Sequence, residues 1–311
     1  MKILITGSTG LVGKALVAAW VKEGHSVCRL VRPGTIVNDE AGGFNVSWNP
    51  ATGELGGAAV GPDAVVNLSG ASIADGRWTE RRKAELRVSR VDVTRALIEA
   101  LGKMNAKPTV LISASAIGYY GNRGDEVLSE ESAAGEGFLA EIVKEWEAEA
   151  LKAAAWRTRV VLARFGIILA REGGALPKMV TPFKLGLGGR LGSGKQWMSW
   201  IALEDVIGIL KLCLERTPIQ GAVEFAPISG PLNVVAPEPV TNAEFTKTLA
   251  SALHRPAIFP APKIGLRLAL GRELADALLL ASQRVVPTKL LATRYEFQCP
   301  TLDAALRRIS A

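Results

Sequence analysis

The first thirteen residues, Met1-Lys-Ile-Leu-Ile-Thr-Gly-Ser-Thr-Gly-Leu-Val-Gly13, constrain this chain more than any other stretch. An apolar run at 3–5 leads into glycines at 7, 10 and 13, and an amphipathic segment follows from Leu11 to about Glu23. That order reads as strand, turn and helix. Gly7 can turn the chain where a side chain would clash, Gly10 leaves room for a phosphate, and Gly13 lets helix and strand pack closely. The first helical amides have no intrahelical acceptor and the helix dipole adds partial positive charge, so the corner suits an anion. A glycine turn alone fits any strand–helix connection. Directly after the first strand of an α/β chain, it points to a dinucleotide's diphosphate.

A second strand is expected at 26–31, and its end bears on which dinucleotide. An NAD-selective fold usually places an acid there, accepting from the ribose hydroxyls. Here the chain reads Cys28-Arg-Leu-Val-Arg32-Pro-Gly34, with no acid until Asp39. A guanidinium fork pairs well with a phosphate, so Arg32 suits the extra phosphate of NADP. Arg29, three residues earlier, would face the other side of the strand. Residues 64–70, Ala-Val-Val-Asn-Leu-Ser-Gly, read as an apolar strand turning polar at its carboxyl end. Ligands in open parallel sheets sit there, which puts Asn67, Ser69 and Gly70 near the cofactor.

Further along, 44–48 is a short strand and 53–61 a loop. Leu86, Val93, Leu97 and Leu101 recur at helical spacing, predicting one long helix over 77–103. Its basic start, Arg77-Trp-Thr-Glu-Arg-Arg-Lys83, carries interleaved acids Glu80 and Glu85, as a solvated helix face does. The strand at 109–113 ends in Ser113-Ala-Ser-Ala-Ile-Gly-Tyr-Tyr-Gly121, hydroxyls and phenols at a central strand's carboxyl end. A helix at 141–155 and a strand at 159–169 follow. At 173–194 the chain changes character, turning rich in glycine with Pro177 and Pro182. A helix at 203–215, an extended pair at 221–237 and a Thr241/Glu244 capping box come next. The apolar tail at 263–280 is interrupted by Arg267, Arg272, Glu273 and Asp276, as in a packed helix pair rather than a membrane element.

At 311 residues and 33.0 kDa the chain can hold one large α/β core and a smaller lobe. No apolar run reaches the ~20 residues a bilayer needs, and no signal-peptide pattern precedes the first strand, so a cytoplasmic protein is expected. Cys28, Cys213 and Cys299 are scattered, and only His25 and His254 join them, so neither disulfides nor a metal site is expected. Outside 77–90 the basic residues behind the net charge of +7 read as dispersed among acids, which favours a phosphate-bearing cofactor over nucleic acid.

With these residues in hand, the chain resembles the extended short-chain dehydrogenase/reductases, the NAD-dependent epimerase/dehydratase family. It looks closest to an atypical subgroup with a small C-terminal domain of the DUF1731 type. The resemblance spans essentially the whole chain and rests on Thr6-Gly-Ser-Thr-Gly-Leu-Val-Gly13, Asn67-Leu-Ser-Gly70 and the 113–121 segment. It continues through Trp146-Glu147, Arg164-Phe-Gly166, the 187–194 loop, Trp200-Ile201, Asp205, and the 240–245 and 282–287 segments. It implies a doubly wound parallel Rossmann sheet with helices on both faces and NADP(H) as cofactor. Residues 1–170 would form the Rossmann domain, with 196–235 returning to it. A smaller lobe would come from 171–195 and 236–311. Gly7, Thr9, Gly10, Leu11, Val12 and Gly13 would line the pyrophosphate, and Arg32 would meet the 2′-phosphate. Asn67, Leu68 and Gly70 would lie on the adenine-ribose side, with Glu85 and Arg90 approaching from the following helix. Ser113 and Ser115 match the strand-end hydroxyls, and Ile167 and Ile168 follow the strand nearest the nicotinamide.

The departure concerns catalysis. The superfamily's Tyr-x-x-x-Lys pair falls on Phe138 and Ile142, and Lys144 is two places off, turned about 200° around the helix. A free phenol has a pKa near 10, so at neutral pH only about one in a thousand is ionised without a lysine's help. Tyr119 or Tyr120 could substitute; both could equally be structural turn aromatics. Gly188, Gly189, Arg190 and Gln196 either face a second ligand or pack a loop. The expected activity is an NADP-dependent oxidoreductase or epimerase acting on a small carbonyl or hydroxyl compound. The alternative is a catalytically silent NADP(H) sensor or interaction protein. In either case a monomer or homodimer is expected, with no nucleic-acid or membrane partner.

Overall fold

The computed structural model describes residues 1–35, 37, 42–59, 61–215 and 227–310. Apolar side chains on both faces of the first strand, β1 (Lys2–Thr6), demand cover on both sides, and the fold supplies it. β2 (Ser26–Val31), β3 (Phe44–Asn49), β4 (Glu54–Leu55), β5 (Ala64–Asn67), β6 (Val110–Ala116), β7 (Arg159–Phe165) and β8 (Gly230–Val234) complete the sheet. The spatial order is β8-β7-β6-β5-β1-β2-β3-β4, with every pairing parallel except the terminal β3–β4 hairpin. Ile3 and Ile5 face helices α1 (Leu11–Lys22) and α6 (Leu203–Leu214), while Leu4 faces α3 (Val93–Gly102) and α4 (Phe138–Leu151). The sheet is therefore a Rossmann sandwich, and its strand order reverses between β1 and β5.

Three elements differ from the sequence reading. The helix expected over 77–103 starts at Glu80, capped by the Thr79 hydroxyl accepting from the Arg82 amide. It is then interrupted by a π-helical turn at Val88–Asp92 between α2 (Glu80–Arg87) and α3. The extra residue in that turn delivers Ser89 and Arg90 to the loop after β5. There the Ser89 hydroxyl accepts from the Ala71 amide at 3.1 Å, and Arg90 donates to the Ala71 carbonyl at 2.9 Å. The strand expected at 159–169 breaks at Gly166. A side chain there would meet the Ser199 carbonyl at 2.7 Å, and Ile167–Leu169 leaves the sheet to pair with Trp200–Ala202. The glycine-rich 173–194 stretch, to which the sequence reading gave no element, contains α5 (Leu176–Lys184). Pro177 sits in its first turn, where a missing amide costs nothing, and Leu176 and Phe183 bury one face.

Of the extended pair expected at 221–237, residues 230–234 form β8, which rejoins the sheet beside β7 in parallel; 221–226 lie outside the described residues. In the smaller lobe Leu169, Leu176, Met198 and Trp200 pack with Phe245 and Leu249 of α7 (Asn242–Ala252) and with Leu302 and Leu306 of the final helix. The tail forms the expected helices, α8 (Lys263–Leu270) and a second helical segment of about two turns from Arg272 to Leu279. Cys28, Cys213 and Cys299 are buried free thiols, burial pushing Cys28 up to about 11 and Cys213 up to about 12.

The capping box forms as expected: Thr241 accepts from the Glu244 amide, and the Glu244 carboxylate accepts from the Thr241 amide at 2.7 Å. That amide holds the Glu244 carboxyl below its ordinary value of 4.5. A lowered folded pKa adds stability that is fully present above pH 4.5 and lost as pH falls through the folded value. Glu244→Gln is expected to lower the thermal midpoint at neutral pH. The gap to the parent should narrow progressively as pH is taken below 4.5, which scanning calorimetry at several pH values measures.

Candidate functional site

The corner between β1 and α1 is built by exclusion. Gly7 adopts φ +66°, and a Cβ there would sit 2.4 Å from the Leu68 carbonyl oxygen. A Cβ on Gly13 would lie 2.2 Å from the Gly7 carbonyl oxygen. Neither position tolerates a side chain. Gly10 is exposed, and a Cβ there would meet only the Gly7 carbonyl within 4 Å, so the space above it is open. The first helical hydrogen bond runs from the Lys14 amide to the Gly10 carbonyl, leaving the amides of Leu11, Val12 and Gly13 ahead of the ladder. The Ser8 hydroxyl is buried beside them with no hydrogen-bond partner among the described residues. This cradle lies at the point where strand order reverses, and it fits a diphosphate.

Around it the sequence-expected residues take different places. Thr9 is exposed, and Leu11 and Val12 are half-buried. Arg32 stands exposed immediately beyond β2 and forms no ion pair among the described residues. Arg90 lies against Gly70, where a Cβ would come within 3.3 Å of its Cζ. It packs 5.5 Å from the Trp146 ring and bonds carbonyls rather than a carboxylate, and burial brings its pKa down to about 10. Glu85 is exposed and paired with Arg82 at 3.0 Å and Arg81 at 3.4 Å. The Asn67 side chain is fully buried, accepting from Thr6 at 2.8 Å and donating to Thr94 at 2.8 Å and Ser113 at 3.3 Å. It braces three strand ends. Ile167 and Ile168 are half-buried where the chain leaves the sheet. The sequence reading overlooked Gly173 and Gly174, which approach the Leu11 side chain within 3.6 and 3.0 Å of their would-be Cβ atoms.

The hydroxyls after β6 belong to a buried ionic network. Arg164 on β7 donates through Nε and an Nη to the two carboxylate oxygens of Glu147, both at 2.8 Å. Ser115 donates to the same carboxylate at 2.6 Å. Arg164 also donates to the Tyr120 hydroxyl at 3.0 Å, which in turn donates to Asn233 at 2.7 Å. Ser115, Tyr120, Glu147, Arg164 and Asn233 are all buried, and burial raises the Tyr120 phenol above its ordinary value. Ser113, also buried, bonds Asn67. Three of the four hydroxyl candidates are thus committed to protein partners. Tyr119 alone of the four is half-exposed, its ring stacked 3.5 Å from the Arg164 guanidinium carbon.

A cavity of about 460 Å³ opens between the 118–122 loop, the start of α4 and the Arg272–Leu279 segment. Phe138, first residue of α4, lies on its wall in an edge-to-face pair with Trp78, ring centroids 5.3 Å apart. Lys83 reaches over the Phe138 ring at 5.3 Å and pairs with Glu273 at 2.7 Å. Ile142 is buried in the core and Lys144 is exposed. Arg272, Glu273 and Asp276, legible in the sequence only as interruptions of an apolar tail, line this cavity with Asn122 and Gln283. Of the loop candidates, Gly188 packs on Phe183 and Gly189 on the Phe259 carbonyl. Gln196 is buried, bonding the carbonyls of Leu191 and Leu279. They pack the loop and are absent from the cavity lining.

An open glycine cradle at a topological switch point defines a nucleotide-binding Rossmann protein. The chain belongs to the NAD dependent epimerase/dehydratase family, whose model matches residues 3–223; residues 261–309 match a domain of unknown function, DUF1731. It is 42% identical over 305 residues to the epimerase family protein Mb2239 of Mycobacterium bovis, covering 98% of this chain and 96% of that protein. It is 37% identical to YfhF of Bacillus subtilis, covering 100% and 98%. The crystal structure of human epimerase family protein SDR39U1 with NADPH superposes with a TM-score of 0.85 at 34% identity, covering 100% and 99%.

Removing one partner of the buried Arg164–Glu147 pair strands the other charge. Glu147→Ala is expected to lower unfolding free energy by about 3–5 kcal/mol in urea titrations, and Glu147→Gln by less.

Proposed function

We propose that the chain binds NADP(H) across the β1–β5 switch point. On this reading it acts as an oxidoreductase or epimerase on a small carbonyl or hydroxyl compound held in the cavity beside Phe138. The observation that carries this reading is the open N-terminus of α1 above Gly10, with side chains excluded at Gly7 and Gly13. The family and the NADPH in the human relative support the same cofactor. On this reading the amides of Leu11, Val12 and Gly13 hold the diphosphate. Arg32 offers a bidentate fork to the 2′-phosphate, and Arg90 flanks Gly70 on the ribose side. When bound, the nicotinamide supplies hydride-transfer chemistry. Phe138 and Trp78 contribute an apolar wall that keeps water from the reacting face, and Asn122 and Gln283 offer polar contacts to the second ligand.

Proton transfer is where this chain departs from its superfamily. By resemblance Phe138 and Ile142 occupy the positions of the tyrosine and lysine, and neither can exchange a proton. Of the four hydroxyl candidates only Tyr119 remains half-exposed, in the loop that borders the cavity though not among the residues lining it, so it is the residue we assign to any proton transfer. The second reading, a silent NADP(H) sensor, draws on the commitment of Ser115 and Tyr120 to the ion-pair network.

Titration calorimetry is expected to show saturable NADPH binding that Gly10→Val abolishes. Arg32→Ala should weaken NADPH by about 1.5–3 kcal/mol, as loss of a charged hydrogen bond does, and leave NADH nearly unchanged. An unaltered preference would remove Arg32 from the role. Oxidation of NADPH followed by absorbance over a panel of aldehydes, ketones and quinones separates the two readings. Turnover lost in Tyr119→Phe by about 10²–10⁴-fold favours the enzyme, and no turnover with any compound favours the sensor.

A further inference from the structure

The smaller lobe carries a surface that the cofactor and the cavity leave unused. Among the described residues, the six most exposed large apolar side chains are Leu268, Ile264, Ile258, Leu185, Leu187 and Phe259, at 59–72% exposed. All six come from two segments, 173–195 and 245–272. These segments are tied together by backbone bonds: Ala261 amide to Arg190 carbonyl at 2.9 Å, Gly192 amide to Ala261 carbonyl at 2.9 Å, and Phe259 amide to Gly188 carbonyl at 3.3 Å. Helix α8 follows at once. Its Ile264 and Leu268, four residues apart, share one face, and none of its residues is buried. The apolar tail therefore forms the expected helix pair without the expected packing: one side of α8 stays open. Exposed apolar side chains concentrated on two segments bonded to each other mark a contact surface on a folded protein.

The charge on the same two segments says what the contact is with. Segment 173–195 holds four Lys/Arg residues and segment 245–272 holds five, and neither holds a single carboxylate. Lys178 pairs with Asp75, and Arg267 and Arg272 pair with Asp276. Of the other six, Lys263 lies within electrostatic reach of Asp276, and Lys184, Arg190, Lys195, Lys247 and Arg255 form no ion pair among the described residues. A second copy seated here by two-fold symmetry would bring the same cations against themselves, which disfavours self-association. A short helix with an apolar face, flanked by Lys and Arg and by further apolar loop tips, has the composition of an element that lies in a lipid interface. No helix among the described residues is long and apolar enough to cross a membrane, so the contact would be peripheral.

We propose that this lobe docks on an anionic bilayer surface. Ile264, Leu268, Phe259 and Ile258 insert between headgroups while the unpaired cations meet lipid phosphates and carboxylates. The docking stands independently of the cofactor reading, since none of these residues belongs to the glycine cradle or the cavity.

The test is vesicle co-sedimentation of the full chain with phosphatidylcholine alone and with about 30 mol % phosphatidylserine added. The expected result is binding to the anionic vesicles only, weakened by raising salt from low to physiological ionic strength. Ile264→Glu/Leu268→Glu should weaken it at least about tenfold, and Lys184→Glu/Lys263→Glu likewise, with unchanged circular dichroism and thermal midpoint. Absence of binding to anionic vesicles overturns the proposal. So does equal binding by the Ile264→Glu/Leu268→Glu variant. Analytical ultracentrifugation supplies a further check: a parent dimer that becomes monomeric in that variant would make the face a self-association surface and overturn the proposal as well.

Discussion

The ion pair between Arg164 and Glu147 organises the carboxyl-terminal end of the sheet. A guanidinium brought into the interior has to be met by a carboxylate and by acceptors for its remaining donors, or it would not stay there. Glu147 meets it from α4 in a bidentate fork, the Tyr120 hydroxyl takes a further donor, and the Tyr119 ring covers its face. Those demands fix β6, α4, β7 and the 117–121 turn relative to one another. They extend through Tyr120 to Asn233 on β8, and from Asn233 to the Val286 carbonyl. One buried charge thus ties the nucleotide-binding sheet to the segment that leads into the C-terminal lobe.

The same network explains why the strand-end hydroxyls read differently in three dimensions. In sequence, Ser113, Ser115, Tyr119 and Tyr120 stand where a reacting group belongs. In the structure Ser115 and Tyr120 serve the ion pair, Ser113 serves Asn67, and only Tyr119 retains an exposed edge. What the cavity shows instead is an aromatic wall, Phe138 against Trp78, with charge at its rim largely neutralised in pairs: Lys83 with Glu273, and Arg267 with Asp276.

Much of the first half was legible because local rules and tertiary demand agree there. The strand at Ser26–Val31 and the helix from Leu11 follow from patterns within a few residues, as does the Thr241/Glu244 box in the second half, and each forms as read. The misses share a cause. The π-helical turn at Val88–Asp92 exists because Ser89 and Arg90 reach Ala71, a contact across 18 or 19 residues. The break at Gly166 exists because Ser199 and Val235 approach its backbone. Helix α5, which the sequence reading did not assign, exists because Leu176 and Phe183 find a core despite the glycines and prolines around them. In each case a distant partner outweighed the local propensity.

By itself the sequence determined the βα corner, because the left-handed turn at Gly7, the steric exclusion at Gly13 and the dipole of the helix that follows are properties of consecutive residues. It also determined the parallel sheet and the family, through runs and motifs whose meaning survives without coordinates. Only the tertiary structure decided which polar groups face a ligand and which are consumed inside. It alone showed that the charges of the apolar tail rim a cavity, and that one side of α8 stays uncovered. Those outcomes depend on which surfaces meet across a hundred residues or more, and desolvation energy, unlike propensity, has no value until the neighbours are in place.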